Sequence, residues 1–275
     1  MLTLHEIKSI LREYDIRPRK QLGQNFLIDG NIQKKIIETA DVSNYDTVLE
    51  IGPGLGSLTE ELCRRAKRVI AVEKDRGLYN FLLKHNLYDN LELLHADILK
   101  YDFSSHPGLK IIGNLPYYIS SPVLIRLLEN RQFITSLFIT VQKEFAERLV
   151  AKPGSKIYGS ISCFVQFYSE PQILFTIKKN AFYPYPKVDS CFLKIDIRKK
   201  GLFLTDDEKL FKIIRTAFGK RRKTILNSLC FEKGFGSKEK VLEKLKEACI
   251  LPGRRPETIS LQEFVNLTNI FPFQQ

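Results

Sequence analysis

Histidine is scarce in this chain, at four residues in 275, and its five cysteines, Cys63, Cys163, Cys191, Cys230 and Cys249, are scattered without a CxxC pair. That spacing argues against a zinc site, so no metal is expected. An odd, dispersed set of cysteines fits reduced thiols in a cytosol-like compartment rather than a disulfide framework, and a cytoplasmic location is expected. No apolar run approaches the length that crosses a bilayer, and no basic start leads into an apolar segment, so neither a membrane span nor a secretory signal is expected. Residues 2–14 carry a mixed amphipathic pattern, which does not favour a targeting peptide. Internal repeats and low-complexity segments are also missing.

What is present is a core and a strong positive charge. Hydrophobic residues make up 44% of the chain, enough for one large domain or a large plus a small one. The formal net charge of +12 favours a polyanionic partner, of which nucleic acid is the usual case.

Between residues 46 and 196, strand-like and helix-like stretches alternate. Residues 48–51, 68–72, 91–95, 111–114 and 136–141 read as short buried strands, with helical patterns over 58–65, 75–85 and 122–129. This alternation predicts an α/β fold with a doubly wound parallel sheet. Residues 160–169, 173–177 and 190–197, rich in branched and aromatic side chains, are expected to be the strands that close the sheet. Composition shifts at Lys199-Lys200-Gly201, and the remainder reads as helical. Thr205-Asp206-Asp207-Glu208 and Ser260-Leu261-Gln262-Glu263 both have the form of a capping box, and a third helix is expected over 238–249. The expected division is 1–199, with an N-terminal arm over 1–30, and a small helical domain over 200–275.

The strand over 48–51 runs into Gly52-Pro53-Gly54-Leu55-Gly56, with Glu50 just ahead. Glycines let a backbone approach a ligand, and the helix that follows offers free N–H groups. The spacing is closer than in the dinucleotide fingerprint and resembles the first motif of class I methyltransferases, so S-adenosylmethionine is the expected cofactor. The next strand ends in Val72-Glu73-Lys74-Asp75. A carboxylate at that tip is placed to accept ribose hydroxyls. Glu73 is assigned that part, Lys74 is counted with it on the cofactor side, and Asp75 is read as the N-cap of the following helix. The third strand ends at Asp97-Ile98, where the carboxylate can accept an adenine amine and the isoleucine can pack on the ring; alternatively Asp97 is a turn residue.

The fourth strand opens into Asn114-Leu115-Pro116-Tyr117. The Asn114 oxygen and the Leu115 carbonyl can each accept one N–H of an exocyclic amine, and Tyr117 can stack on the ring that bears it. An adenine nitrogen is a poor nucleophile because its lone pair is delocalised. Two acceptors on its hydrogens localise that pair and aim it, and aim is a large part of catalysis. Further on, the proline-stiffened segment from Asn180 to Ser190 offers Phe182 and Tyr183 for the opposite face of the ring, with Phe182 preferred.

These motifs occur together with Arg17-Pro18-Arg19-Lys20-Gln21-Leu22-Gly23-Gln24-Asn25-Phe26-Leu27. With that addition the chain resembles, over essentially its whole length, the ribosomal RNA adenine N6-dimethyltransferases of the KsgA family. The resemblance implies that Asn25 and Leu27 border the cofactor and that Gly52, with Gly54 beside it, lies beneath its methionine part. It further implies that Glu73 holds the ribose and Asp97 the adenine, and that Asn114 faces the reactive amine. The implied reaction is dimethylation of two adjacent adenosines in a hairpin near the 3′ end of small-subunit ribosomal RNA. Four cofactor molecules would be consumed per RNA, and a pre-30S-type particle would be the substrate late in assembly.

A paired N6 is inaccessible, so the target must be unstacked or flipped. Arg17, Arg19 and Lys20 near the cofactor motif, and Lys220, Arg221, Arg222 and Lys223 in the helical region, are candidate phosphate contacts, and a monomer is the default. The rival readings are an Erm-type methyltransferase of large-subunit RNA, a DNA adenine methyltransferase, and a non-catalytic nucleic-acid-binding relative. The segment 218–229 and the length of the tail favour the KsgA type over Erm. DNA enzymes carry a Pro or similar residue where Leu115 stands, and the set Glu73, Asp97 and Asn114 argues for catalysis.

Overall fold

The structure is a computed structural model and describes residues 4–16, 24–198, 200, 202–203, 206–220, 222–232 and 234–271. The chain folds as two compact units, residues 1–146 with 171–197, and residues 147–170 with 198–275.

The first unit begins with α1 (Leu4–Glu13), a two-residue strand β1 (Phe26–Leu27) and α2 (Gly30–Thr39). There follow β2 (Thr47–Ile51), α3 (Thr59–Arg65), β3 (Arg68–Glu73), α4 (Arg76–His85), β4 (Leu91–His95), β5 (Leu109–Asn114), α5 (Ser120–Glu129) and β6 (Ile134–Gln142). After α6 (Lys143–Leu149) and α7 (Ser160–Tyr168) come β7 (Ser169–Ile177), the short β8 (Phe182–Tyr183) and β9 (Ser190–Ile197). The main sheet has the order β4-β3-β2-β5-β6-β9-β7. Strands β2 to β6 pair in parallel and β6 pairs antiparallel with β9. The order reverses between β2 and β5, the place where doubly wound sheets open a crevice at the carboxyl ends of their strands.

The strands are near-continuous apolar runs because helices cover both faces of the parallel part. One core gathers Ile36, Ile37, Leu62, Val48, Val69 and Ile112. Another joins Ile7 and Leu11 of α1 to Leu78, Phe81 and Leu82 of α4. Asp75 caps α4, accepting from the amides of Gly77 (2.9 Å) and Leu78 (3.2 Å), as expected of it.

The second unit contains α7, α8 (Asp207–Gly219), α9 (Ile225–Leu229), α10 (Lys238–Glu247) and α11 (Leu261–Ile270). Three expectations need correction here. Of residues 160–169, read as a strand, all but Ser169 form the helix α7 (Ser160–Tyr168), and Ser169 opens β7. Its aromatic residues suit a strand in composition, yet Phe164, Phe167 and Tyr168 converge on Phe211 of α8 with ring centroids 5.0, 5.5 and 5.6 Å away. Helical spacing brings those rings to one side, and packing overrides propensity. In consequence residues 147–170 pack with the second unit, whereas the expected boundary left them in the first. The cap of α8 is Asp206, whose carboxylate accepts from the Lys209 amide at 3.0 Å, one residue beyond the expected Thr205, which lies outside the described residues. The box at Ser260 and Glu263 forms in both directions.

Candidate active site

The parallel strands end at one edge of the sheet, and the ends of β2, β3, β4 and β5 each lead to a residue the sequence singled out. After β2 the backbone turns through Gly52 (φ 67°) and Gly54 (φ 62°), a left-handed region that costs glycine nothing. A Cβ on Gly54 would lie 3.2 Å from the Phe26 ring, so the loop and β1 need a glycine there to stay in contact. The Gly54 amide donates to Glu73 Oε2 at 3.2 Å and the Asp75 amide to Oε1 at 2.8 Å. These bonds fix the carboxylate at the tip of β3, and burial pushes Glu73 up to about 7 against the lowering effect of both amides.

Glu73, Lys74, Asp97, Ile98, Asn25, Gly52, Gly54 and Asn114 line one cleft, together with Pro116 and Tyr118. Asp97 is both a turn residue and a lining residue. One of its oxygens accepts from the Leu99 amide at 3.0 Å, while the other meets Lys74 Nζ at 2.7 Å. Burial works to raise its pKa, but the Lys74 ammonium and the Leu99 amide outweigh it and hold the carboxyl below its ordinary value.

Asn114 stands at the end of β5, between this cleft and a second cavity that Leu27, Glu50, Thr140 and Phe182 also line. Its Nδ2 donates to the Asn25 carbonyl at 2.9 Å, which orients the amide. Its Oδ1 is buried with no hydrogen-bond partner among the described residues. A buried acceptor without a donor is costly, and such groups cluster at functional sites. Leu115 is fully buried, its amide donating to the Thr140 carbonyl at 3.0 Å. Tyr117 is half-buried, with its hydroxyl 2.6 Å from Ser190 Oγ, and its neighbour Tyr118 faces the cleft.

Phe182 is fully buried and pairs with Leu27 across β1 and β8, while Phe26 pairs with Tyr183. This two-residue ladder clasps the N-terminal motif to the segment after β7. Sequence reading found both motifs but not their pairing, because a two-residue strand has no periodicity. It also passed over Gln33, whose Nε2 holds the Leu27 carbonyl at 2.8 Å, Thr140, and Ser190. Only Thr140, near the carboxyl end of β6 and opposite Asn114, carried a usable signal, through the rule that binding residues sit toward strand ends. Glu50 belongs to the same region. Burial pushes it up to about 7, the charge of Glu73 acts in the same direction, and its Oε2 has no partner among the described residues.

Of the basic candidates, Lys220, Arg222 and Lys223 are exposed on the turn between α8 and α9. Arg17, Arg19, Lys20 and Arg221 lie outside the described residues. No helix among the described residues is long and apolar enough to cross a membrane.

A mostly parallel sheet, a glycine turn at its switch point and polar groups on successive strand tips define the class I, Rossmann-like methyltransferase fold. The match of the family "Ribosomal RNA adenine dimethylase" to residues 16–271 narrows this, and the chain belongs to that family. Two relatives named "Ribosomal RNA small subunit methyltransferase A" are close in sequence. The one from Moorella thermoacetica is 44% identical over 94% of each chain. The one from a Geobacillus species is 41% identical over 95% of this chain and 94% of its own. Among solved structures, a dimethyladenosine transferase from Plasmodium falciparum superposes with a TM-score of 0.75 at 29% identity, covering 88% of this chain and 95% of its own. The 23S rRNA methyltransferase ErmE gives 0.68 at 26% identity, covering 90% and 99%.

Proposed function

We propose that this chain transfers methyl groups from S-adenosylmethionine to the N6 amines of two adjacent adenosines in the 3′-end hairpin of small-subunit ribosomal RNA, two to each base. Its substrate is a pre-30S-type particle, and it works in the cytoplasm as a monomer. The observation that carries the chemistry is the unpartnered, buried Oδ1 of Asn114, oriented by Asn25 and standing between two cavities.

The residues present fit the cofactor. The cleft ends in the carboxylates of Glu73 and Asp97, and Gly52 and Gly54 present no Cβ at its wall. When bound, S-adenosylmethionine supplies a methyl group on a sulfonium, whose departure leaves a neutral thioether. Glu73 accepts the ribose hydroxyls, held ready by two backbone amides. Asp97 accepts the cofactor's adenine amine beside the Lys74 ammonium, with Ile98 against the ring. Gly52, with Gly54 beside it, lies beneath the methionine part, Asn25 borders the cofactor in the same cleft, and Leu27 borders it from the adjoining second cavity.

On the target side, Asn114 Oδ1 and the Leu115 carbonyl accept the two amine hydrogens and localise the lone pair for attack. Tyr117 and Phe182 bracket the ring, and one stacked base contributes ~1–3 kcal/mol. No strong base is needed, since the proton leaves to solvent after methyl transfer. With one methyl in place a single N–H remains, so one acceptor holds the amine while rotation about the C6–N6 bond presents the nitrogen again. Lys220, Arg222 and Lys223 hold phosphates, as do Arg17, Arg19, Lys20 and Arg221.

The test is transfer of labelled methyl to unmethylated small-subunit particles, large-subunit RNA and DNA in parallel. Label in the small-subunit RNA supports the reading. Label only in large-subunit RNA assigns the chain to the Erm type, and no label anywhere favours a binding factor without catalysis.

A further inference from the structure

A single exposed apolar side chain on a soluble protein needs no explanation. Phe231, in the second unit, is set apart by its neighbours. It is 70% exposed, just past α9, on a backbone fixed by the bond from the Glu232 amide to the Leu229 carbonyl (3.2 Å). Four residues on, Phe235 is turned inward to 3% exposure, its ring 5.4 Å from that of Phe271. The same short segment therefore anchors one phenylalanine in the core and holds the other in water. The Lys220 ammonium sits 4.1 Å from the Phe231 ring centroid, which leaves the high remaining exposure to the rest of the ring. Lys220 is itself fixed to the turn, since its carbonyl accepts from the Lys223 amide at 2.8 Å and from Ser228 Oγ at 3.4 Å. Arg222 and Lys223 are exposed on that turn.

An aromatic face beside a row of cations is the arrangement that binds a single-stranded nucleic acid, with bases stacking on rings and cations tracking the backbone. We propose that Phe231 is a stacking platform for one unpaired RNA base, with Lys220 beside its ring and Lys220, Arg222 and Lys223 on the adjoining phosphates. This rests on the reading of Lys220, Arg222 and Lys223 as phosphate contacts and adds to it a base contact that charge alone does not provide. It is sequence-tolerant, because every base has a face to stack.

The chain contains no tryptophan, so Phe231→Trp in the full-length protein creates a single fluorescent reporter on the platform. Addition of unmethylated small-subunit ribosomal RNA is expected to quench its emission. Phe231→Ala is expected to weaken RNA binding about tenfold with an unchanged dependence on salt, since stacking releases no counterions, while Phe231→Tyr keeps wild-type affinity. Circular dichroism of the three variants controls for folding. Bound RNA with unaltered tryptophan emission, or wild-type affinity of the alanine variant, overturns the platform while leaving the RNA-binding reading in place. Failure of the wild-type protein to bind RNA at all overturns both.

Discussion

In the first unit the carboxylates of Glu50 and Glu73 lie at 2% and 6% exposure at the inner ends of two parallel strands. In the second, Lys220, Arg222 and Lys223 stand in water on a turn between helices. The two arrangements teach different things about charge. A buried group has lost its hydration, so its contacts are strong, its geometry must be fixed, and its pKa moves. A solvated cation is individually weak and screened by salt, yet a row of them binds a polyanion through counterion release. Buried polar groups in one unit suit chemistry that tolerates little misplacement. Exposed cations in the other suit a partner held by its backbone.

Variants can break or sharpen this contrast, and the largest effect is expected in the buried site. Asn114→Ala removes an acceptor on the reacting amine and is expected to lower the single-turnover methyl-transfer rate by about 10²–10³-fold, with RNA affinity nearly unchanged. Lost RNA binding with a normal rate per bound complex would remove Asn114 from the chemistry.

Next comes the pH dependence of stability. Burial raises Glu50 from 4.5 to about 7 in the folded chain. Between those values the folded state holds a proton that the unfolded chain releases, so stability is greatest below the unfolded pKa and is lost as pH rises through 7. Glu73 shifts the same way and titrates with it. Glu50→Gln is therefore expected to raise stability at pH 8 by on the order of 2–3 kcal/mol and to change it little at pH 4. Urea midpoints of the variant and the wild type at the two pH values read the difference, and a variant-minus-wild-type shift equal at both would contradict the burial argument.

Glu73→Ala is expected to weaken S-adenosylmethionine binding by about 10–100-fold, as for hydrogen bonds to a charged group. Unchanged calorimetric affinity would count against Glu73 as the ribose ligand. The smallest effect on chemistry belongs to the exposed row. Replacing Lys220, Arg222 and Lys223 together by alanine is expected to flatten the log–log salt dependence of RNA binding by about two, near 0.7 per lost phosphate contact. A slope equal to wild type would show that these cations face no phosphate.

The same contrast explains what was legible in the sequence. Strand tips such as Gly52, Glu73, Asp97 and Asn114 are readable because a parallel sheet places its tips along one edge, and because buried apolar runs point to each tip in turn. The pairing of Leu27 with Phe182 was not readable, since β1 and β8 are two residues long and lie far apart in the chain. Helix α7 misled because its aromatic residues match strand composition, and only their convergence on Phe211 decides for a helix. The orphaned Oδ1 of Asn114 is a fact of three dimensions. The motif names the residue, but the Asn25 carbonyl that takes its Nδ2 is what determines which end of the amide is left over.

The central claim is most directly tested by product mapping on unmethylated small-subunit particles with limiting and then excess S-adenosylmethionine. The account predicts N6,N6-dimethyladenosine at two adjacent positions near the 3′ end, with four methyls incorporated per RNA at completion. Arrest at monomethyladenosine, or methylation confined to large-subunit RNA, would contradict it.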